Sequence, residues 1–357
     1  MTHIAPSIAG PAANALNSLT ESQVSFIRSL PKAELHCHLN GSIPLATLQR
    51  LAAERDDLTD EASEAVKSGL ETLKQGVQLS AIGDFFGLFP AVYSLTSNPA
   101  ALREVTRDVL HVFLDPKSEG DQIIPPECAY LELRSTPRKT PHMTRKQYIE
   151  AVLAEVEAYP ADKAALIVSV DRRMSVEDAL ECVSLAVNLR NEGRRVVGVD
   201  LCGDPKAGDM KDFIPAFEMV HKAGLGLTLH IAEVSYSELP PDTDVLLSAR
   251  PTRLGHATFL NDAEQMYICD NKIPIEICLT SNLLCKTVTD LESHHINAYL
   301  QQDHPVSICT DDILPFRTSL TAEYALLLAK QPLGLGLTEE QVEKIAKFGM
   351  ASRFTSL

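Results

Sequence analysis

The chain has 357 residues, 45% of them hydrophobic, and its 48 acidic against 32 basic side chains leave a net charge of −16. That is enough for one large α/β barrel or two ordinary domains. No run of Lys or Arg forms a basic stripe, which argues against nucleic acid as a partner, and no stretch approaches the roughly 20 apolar residues that span a bilayer. A small anionic substrate stays compatible, because a few local arginines override an acidic surface.

Residues 1–23 are rich in Ala, Ser and Asn, without a charged n-region or a continuous apolar core. They are expected to be a disordered lead-in rather than a signal peptide, with a single domain over 24–357. The 8 cysteines are scattered, several inside apolar runs, with no C-x-x-C. That pattern reads as reduced thiols in a cytoplasmic protein.

A short helix is expected over 22–29, ending before Pro31. The first strand follows over 33–39, then a helix over 44–55 and a polar, acidic helix within 56–80. Residues 82–95 carry Phe85, Phe86, Phe89 and Tyr93. That aromatic helix could roof a pocket, although its spacing is also that of core packing, the role expected for most of the four. A helix over 101–114 leads to a Pro/Gly/charge loop over 115–126. From there strands at 129–134, 164–170, 195–201, 226–230, 253–255, 273–279 and 305–310 alternate with helices at 148–158, 176–191, 212–223, 244–249, 261–270 and 294–301. Helices near 322–330 and 339–348 close the chain. Eight strand–helix units with no linker-like break predict an α/β fold, a single (β/α)8 TIM barrel with its site at the C-terminal ends of the strands. An open doubly wound sheet would bring a Gly-rich phosphate loop after the first strand, and none is present.

Polar residues cluster at those strand ends. His36 and His38 share one face of the first strand, as side chains two apart do. His230 ends the fifth strand, His256 the sixth, and Asp311 with Asp312 the eighth. Each has an ordinary explanation alone: a satisfied core histidine, a turn residue, or an Asp N-cap. Together at one end of a barrel they form a ligand set suited to Zn2+, one ion per chain, which activates water at neutral pH.

The strings LHCHLNGS, LHIAE, RLGHA and CTDD, in this order, resemble the metal-dependent adenosine and AMP deaminase superfamily. PKAELHCHLNGS, YLELRSTPR, VDRR, DLCGDP, CLTSN and ICTDD are similar to its adenosine deaminase-like branch, whose members are N6-methyl-AMP deaminases. The resemblance covers residues 30 to about 330. It implies that His36, His38, His230 and Asp311 hold the zinc and that Glu233 protonates the purine at N1. His256 would orient the attacking water, so that Glu233, His256 and Asp311 are the catalytic set. On the substrate side it implies His38, Asn40, Tyr93, Ser135, Thr136, Pro137, Arg138, Asp171, Gly203 and Asp312. Asp312 would accept from the ring near N7 and the Gly203 amide would reach N3.

Asn40 stands where nucleoside deaminases usually carry Asp. A neutral amide can donate to a phosphate that a carboxylate would repel, so Asn40 fits a nucleotide. Arg138 would supply the charge on the phosphate side, and Arg172 and Arg173 are expected as a solvated strand exit. Tyr93 departs from the branch, which often has His there, and the 115–126 loop is longer than usual. The implied activity is hydrolysis of N6-methyl-AMP to IMP and methylamine, by a monomer whose partner is a small-molecule purine nucleotide. Adenosine or adenine as the substrate is the nearest alternative, and a non-catalytic binding barrel the remote one.

Overall fold

The computed structural model describes residues 8–55, 60–77, 79, 85–235 and 242–354. Eight parallel strands run in sequence order around one sheet: β1 (Ala33–His38), β2 (Tyr130–Ser135), β3 (Ala164–Asp171), β4 (Val196–Cys202), β5 (Gly226–Ile231), β6 (Arg253–His256), β7 (Ile275–Ile277) and β8 (Val306–Ile308). Their outward residues, such as Leu131 and Leu133 of β2 or Leu166 and Val168 of β3, are buried in the main apolar core. Helices cover that side, as in any parallel sheet buried on both faces. The helix Val176–Asn191 follows β3 and contacts both β3 and β4. Reciprocal capping boxes start four helices, at Thr20, Thr144, Asn261 and Thr338, each satisfying two otherwise orphaned end groups.

The ring closes between β1 and β8 through the Cys37–Asp311 bridge, where the His38 amide donates to the Asp311 carbonyl at 3.1 Å. One residue earlier a side chain completes the seam. The Glu34 carboxylate accepts from the Thr310 amide at 2.9 Å and from the His36 amide at 2.8 Å. Burial pushes that carboxyl up to about 7. Closing the seam here sets the ends of the first and last strands, and so His38 and Asp311, side by side.

The barrel interior is ionic. Glu34, Glu132, Arg134, Asp200, Arg253 and Glu276 are all fully buried there. Arg134 bridges Asp200 at 3.2 Å and Glu276 at 2.9 Å, and Arg253 bridges Glu132 at 2.7 Å and also reaches Glu276. Removing one partner from such a set leaves an uncompensated buried charge, at a cost of about 3–5 kcal/mol. Below it Ala33, Leu35, Tyr130, Ile167 and Val197 form a small apolar floor, packed by Met350 and Phe354.

Four expectations are corrected. The lead-in is not disordered throughout: Gly10–Ser18 is a helix lying on the helix Leu320–Leu328, with Ala12 and Ala15 fully buried. A small-residue face lets the two helices approach closely, so low hydrophobicity was no sign of disorder. The loop after residue 114 holds an antiparallel hairpin, Lys117–Glu119 with Gln122–Ile124. The strand expected over 273–279 is only Ile275–Ile277, and Thr280, Ser281 and Asn282 lie in a helix, Leu279–Leu284. The helix expected over 82–95 is a 3-10 turn, Phe86–Leu88, and a helix, Phe89–Leu95. Its positions 82–84, like 56–59, 78 and 80 of the preceding segment, lie outside the described residues.

The Phe354 ring sits 3.9 Å under the Arg253 guanidinium, and the Phe354 amide donates to Glu132 at 2.6 Å. Gly226 leaves room for this ring, since a Cβ there would stand 2.4 Å from its Cγ. Phe354→Ala is expected to lower stability by about 1–3 kcal/mol. A urea series should also show Gly226→Ala costing less in the Phe354→Ala background than alone. Additive effects would contradict that packing.

Candidate active site

The three histidines at the ends of β1 and β5 meet at one point. His36 Nε2 faces His230 Nε2 at 3.0 Å, and His38 Nε2 faces the same atom at 3.2 Å. The Nδ1 atoms of two of these rings are held by buried carboxylates: His36 by Glu276 at 2.6 Å and His230 by Asp200 at 3.0 Å. An Nδ1–H given to a carboxylate leaves the lone pair on Nε2. Lone pairs facing at 3.0 Å repel unless a proton or a metal cation lies between them.

The last strand supplies the remaining donor. Asp311 Oδ1 is 3.6 Å from His36 Nε2 and 3.5 Å from His38 Nε2. Four donors about 2.0–2.2 Å from a shared zinc stand roughly 3.3–3.6 Å apart in a tetrahedron. The spacing and the nitrogen-and-carboxylate donor set therefore fit a metal such as Zn2+. His256 belongs to the same cluster, since His36, His230 and His256 bring ring nitrogens within 4.8 Å of one another. Its Nε2, however, faces the other Asp311 oxygen, Oδ2, at 3.9 Å and Glu233 Oε1 at 3.5 Å.

The electrostatics favour positive charge at this point. Burial would raise the Asp200 carboxyl, but His230 and Arg134 outweigh it and hold it well below the usual range. Burial likewise opposes ionisation of Glu276, yet Arg134 and Arg253 keep it at about 2. Burial lowers His36 far, and His38 to about 3, so both rings are neutral. His230 is also buried, but the Asp200 carboxylate more than offsets that and lifts it to about 9. The same field draws a metal cation.

Backbone conformation completes the arrangement. Ala232, His256 and Asp311 have φ of +53°, +60° and +63°, left-handed values that cost non-glycine residues free energy and cluster at functional sites. Ala232 stands between His230 and Glu233, so the sharp turn brings both side chains to the cavity wall. Gly41 is required by a close approach: a Cβ there would lie 1.3 Å from Asp312 Oδ1. Asp312 takes the N-cap position of a short helix but makes no capping bond, and its Oδ1 is buried without a hydrogen-bond partner. Burial and neighbouring Asp311 push its carboxyl well up.

A cavity opens above these donors. The structure brings together on its wall His38, Asn40, Tyr93, Ser135, Thr136, Asp171, Gly203, His230, Glu233, His256, Asp311 and Asp312, while His36 lies fully buried beneath. Asn40 Nδ2 and Tyr148 Oη lie 3.4 Å apart, with Oδ1 buried and unpaired. Ser135 Oγ is 2.7 Å from the same tyrosine hydroxyl.

Pro137 and Arg138 are not among the residues that line the cavity. Arg138 turns back to donate to the carbonyls of Tyr93 and Thr96 and to Thr96 Oγ1. Arg172 is buried rather than solvated, pairing with Asp242 and donating to the His230 carbonyl at 3.3 Å. Phe85, Phe86, Phe89 and Tyr93 all line the cavity, while Phe89 is also buried in the core and Phe85 packs on Phe316. Glu132, Arg134, Asp200 and Glu276 escaped notice, although a charge inside an apolar strand run such as VVGVDLC or IEI signals a buried ion pair.

A family model described as "Adenosine deaminase" matches residues 31–357. The chain is 36% identical over 336 residues to the N6-Methyl-AMP deaminase of Homo sapiens, covering 90% of this chain and 87% of the relative. Its fold is similar to a crystal structure of Arabidopsis N6-mAMP deaminase, with a TM-score of 0.79, 31% identity, and coverage of 93% and 95%. It matches an Arabidopsis ADAL structure complexed with IMP at a TM-score of 0.78 and 31% identity, covering 93% and 94%. The match spans the barrel and every strand end that carries a donor, and the chain belongs to the adenosine deaminase family.

Proposed function

We propose that this chain is a zinc-dependent hydrolytic deaminase that converts N6-methyl-AMP and water to IMP and methylamine. The observation that carries the chemistry is the convergence of three imidazole Nε2 atoms and Asp311 Oδ1 on one point, with Glu233 beside it. The substrate is supported by relatives along about nine-tenths of the chain that are named for N6-methyl-AMP. The ligands of this reading are His36, His38, His230 and Asp311, one ion per chain. Their mutual spacing supports that set over one containing His256, which faces Asp311 Oδ2 instead.

Zinc supplies Lewis acidity and a water nucleophile at neutral pH. The protein residues do the rest. Glu233 donates its proton to purine N1, which makes C6 more electrophilic. His256, 3.5 Å from Glu233 Oε1, orients the attacking water. Purine N7 offers a lone pair and no hydrogen, so Asp312 bonds it as the protonated carboxyl, the form that burial and Asp311 favour. It donates to N7, the reverse of the direction first expected. The Gly203 amide reaches N3, and Phe85, Phe86, Phe89 and Tyr93 exclude water from above.

All 8 cysteines are free and most are buried, which supports a cytoplasmic location. No described helix is long and apolar enough to cross a membrane.

Purified enzyme assayed with N6-methyl-AMP, AMP, N6-methyladenosine, adenosine and adenine should show the highest kcat/KM on N6-methyl-AMP. Clear preference for an unphosphorylated substrate would refute the assignment. In Glu233→Gln the zinc content should hold while kcat falls about 10²–10⁴-fold, and near-wild-type turnover would remove Glu233 from the acid role.

A further inference from the structure

Two neighbouring histidines lie outside the donor cluster. His294 and His295 stand between the helix Leu279–Leu284, which follows β7, and the short helix Ile296–Gln301. Their rings stack with centroids 4.4 Å apart and planes 19° from parallel. Burial lowers both, His295 to about 4, so both rings are neutral.

A neutral imidazole has one N–H and one lone pair, and the partners decide which nitrogen carries the proton. The Ile296 amide donates to His294 Nδ1 at 3.1 Å, so His294 Nε2 donates to Asn282 Oδ1 at 3.2 Å. That leaves Asn282 Nδ2 to donate to Thr287 Oγ1 at 3.0 Å and to Thr258 Oγ1 at 3.5 Å. His295 Nε2 faces the His256 carbonyl at 2.8 Å. A carbonyl only accepts, so Nε2 carries the proton, and Nδ1 is left buried without a partner among the described residues. The two rings and Asn282 thus grip the exit of β6 at His256 and at Thr258.

That exit is strained. His256 and Ala257 are consecutive left-handed residues, with φ of +60° and +51°. Neither is glycine, so the bend persists only where its surroundings fix it. The Ala257 amide donates to the Ile231 carbonyl at 3.1 Å and the Phe259 amide to the Ala232 carbonyl at 2.9 Å, which ties the bend to the end of β5. His295 holds it from the side of β7. The bend sets the direction of the His256 ring, whose Nε2 stands 3.5 Å from Glu233 Oε1 and 3.9 Å from Asp311 Oδ2.

We infer that His295 is a positioning residue for catalysis: its bond to the His256 carbonyl, braced by His294 and Asn282, fixes the left-handed bend that aims the His256 ring at the attacking water. The inference rests on the role proposed for His256 and extends it to a residue that is not on the cavity wall. Its loss costs turnover rather than affinity, because misplacing a reacting group by about 1 Å slows the reaction about 100-fold. His304 supplies the comparison. Its Nε2 donates to the Ile273 carbonyl at 2.8 Å, the same kind of bond, but ahead of β7 and β8 at the other end of the barrel.

The test measures kcat and KM for N6-methyl-AMP, inhibition by IMP, zinc content and the thermal midpoint. The variants are His295→Leu, His295→Gln, His295→Asn, His304→Leu, His256→Ala and the double variant of His295→Leu with His256→Ala. His295→Leu should lower kcat about 10- to 100-fold, while KM, inhibition by IMP and zinc content hold. Gln, whose amide nitrogen reaches as far as the imidazole Nε2, should recover most of the loss. Asn, one carbon shorter, should not. His304→Leu should lower the thermal midpoint and leave kcat unchanged. In the His256→Ala background His295→Leu should cost no further turnover. A zinc-loaded His295→Leu that turns over like wild type overturns the inference, and so do losses that multiply in the double variant. Should His295→Leu not fold, equal kcat in the Gln and Asn variants overturns it. Wild-type kcat in His256→Ala removes the role of His256 and this inference with it, while the deaminase reading stands. A wild-type protein that deaminates no purine ends both.

Discussion

Glu276 holds the centre of this molecule together. One carboxylate oxygen accepts from His36 Nδ1 and Arg134, and the other from Arg253 and the Thr228 hydroxyl. Five strands meet at that group: β1, β2, β5, β6 and its own β7. A fully buried carboxylate is affordable only with such partners, and the two guanidiniums are what keep it ionised. The consequence for chemistry is direct. An ionised Glu276 fixes the tautomer and plane of His36, and Asp200 does the same for His230, so ligand geometry is set before any metal arrives.

The site therefore opposes two kinds of charge. Its floor is a closed ion-pair lattice in which each guanidinium is matched by carboxylates. Its walls carry carboxylates in distinct settings: Asp311 faces the histidines, Glu233 faces His256, and Asp312 packs against Gly41. Three left-handed non-glycine residues, Ala232, His256 and Asp311, turn these side chains inward. His295 Nε2 holds the His256 carbonyl at 2.8 Å, which helps retain one of the three. The strain is offset by the packing and closure of the barrel around it.

The barrel and the donors were legible because both leave periodic or motif signals. Strand–helix alternation gave eight strands, and the helix over Val176–Asn191 falls where the pattern placed it. H-x-H, H-x-x-E, G-H and D-D fall at strand ends, which the barrel gathers at one mouth. What was lost depends on side-chain direction. A helical run of four aromatics looks the same whether it faces core or cavity. The string STPR does not say that its arginine turns away to two backbone carbonyls, nor VDRR that one arginine is buried and the other exposed. The helix Gly10–Ser18 was missed because alanine packing depends on a partner helix more than 300 residues away.

The most direct test of the account is the position of the metal. An anomalous-difference map collected across the zinc absorption edge on crystals of the purified protein should show one peak per chain. The peak should lie within bonding distance of Nε2 of His36, His38 and His230 and of Asp311 Oδ1, with His256 and Glu233 close but not bonded. A peak coordinated by His256 in place of His38, or an active enzyme with no peak in this cluster, would contradict it.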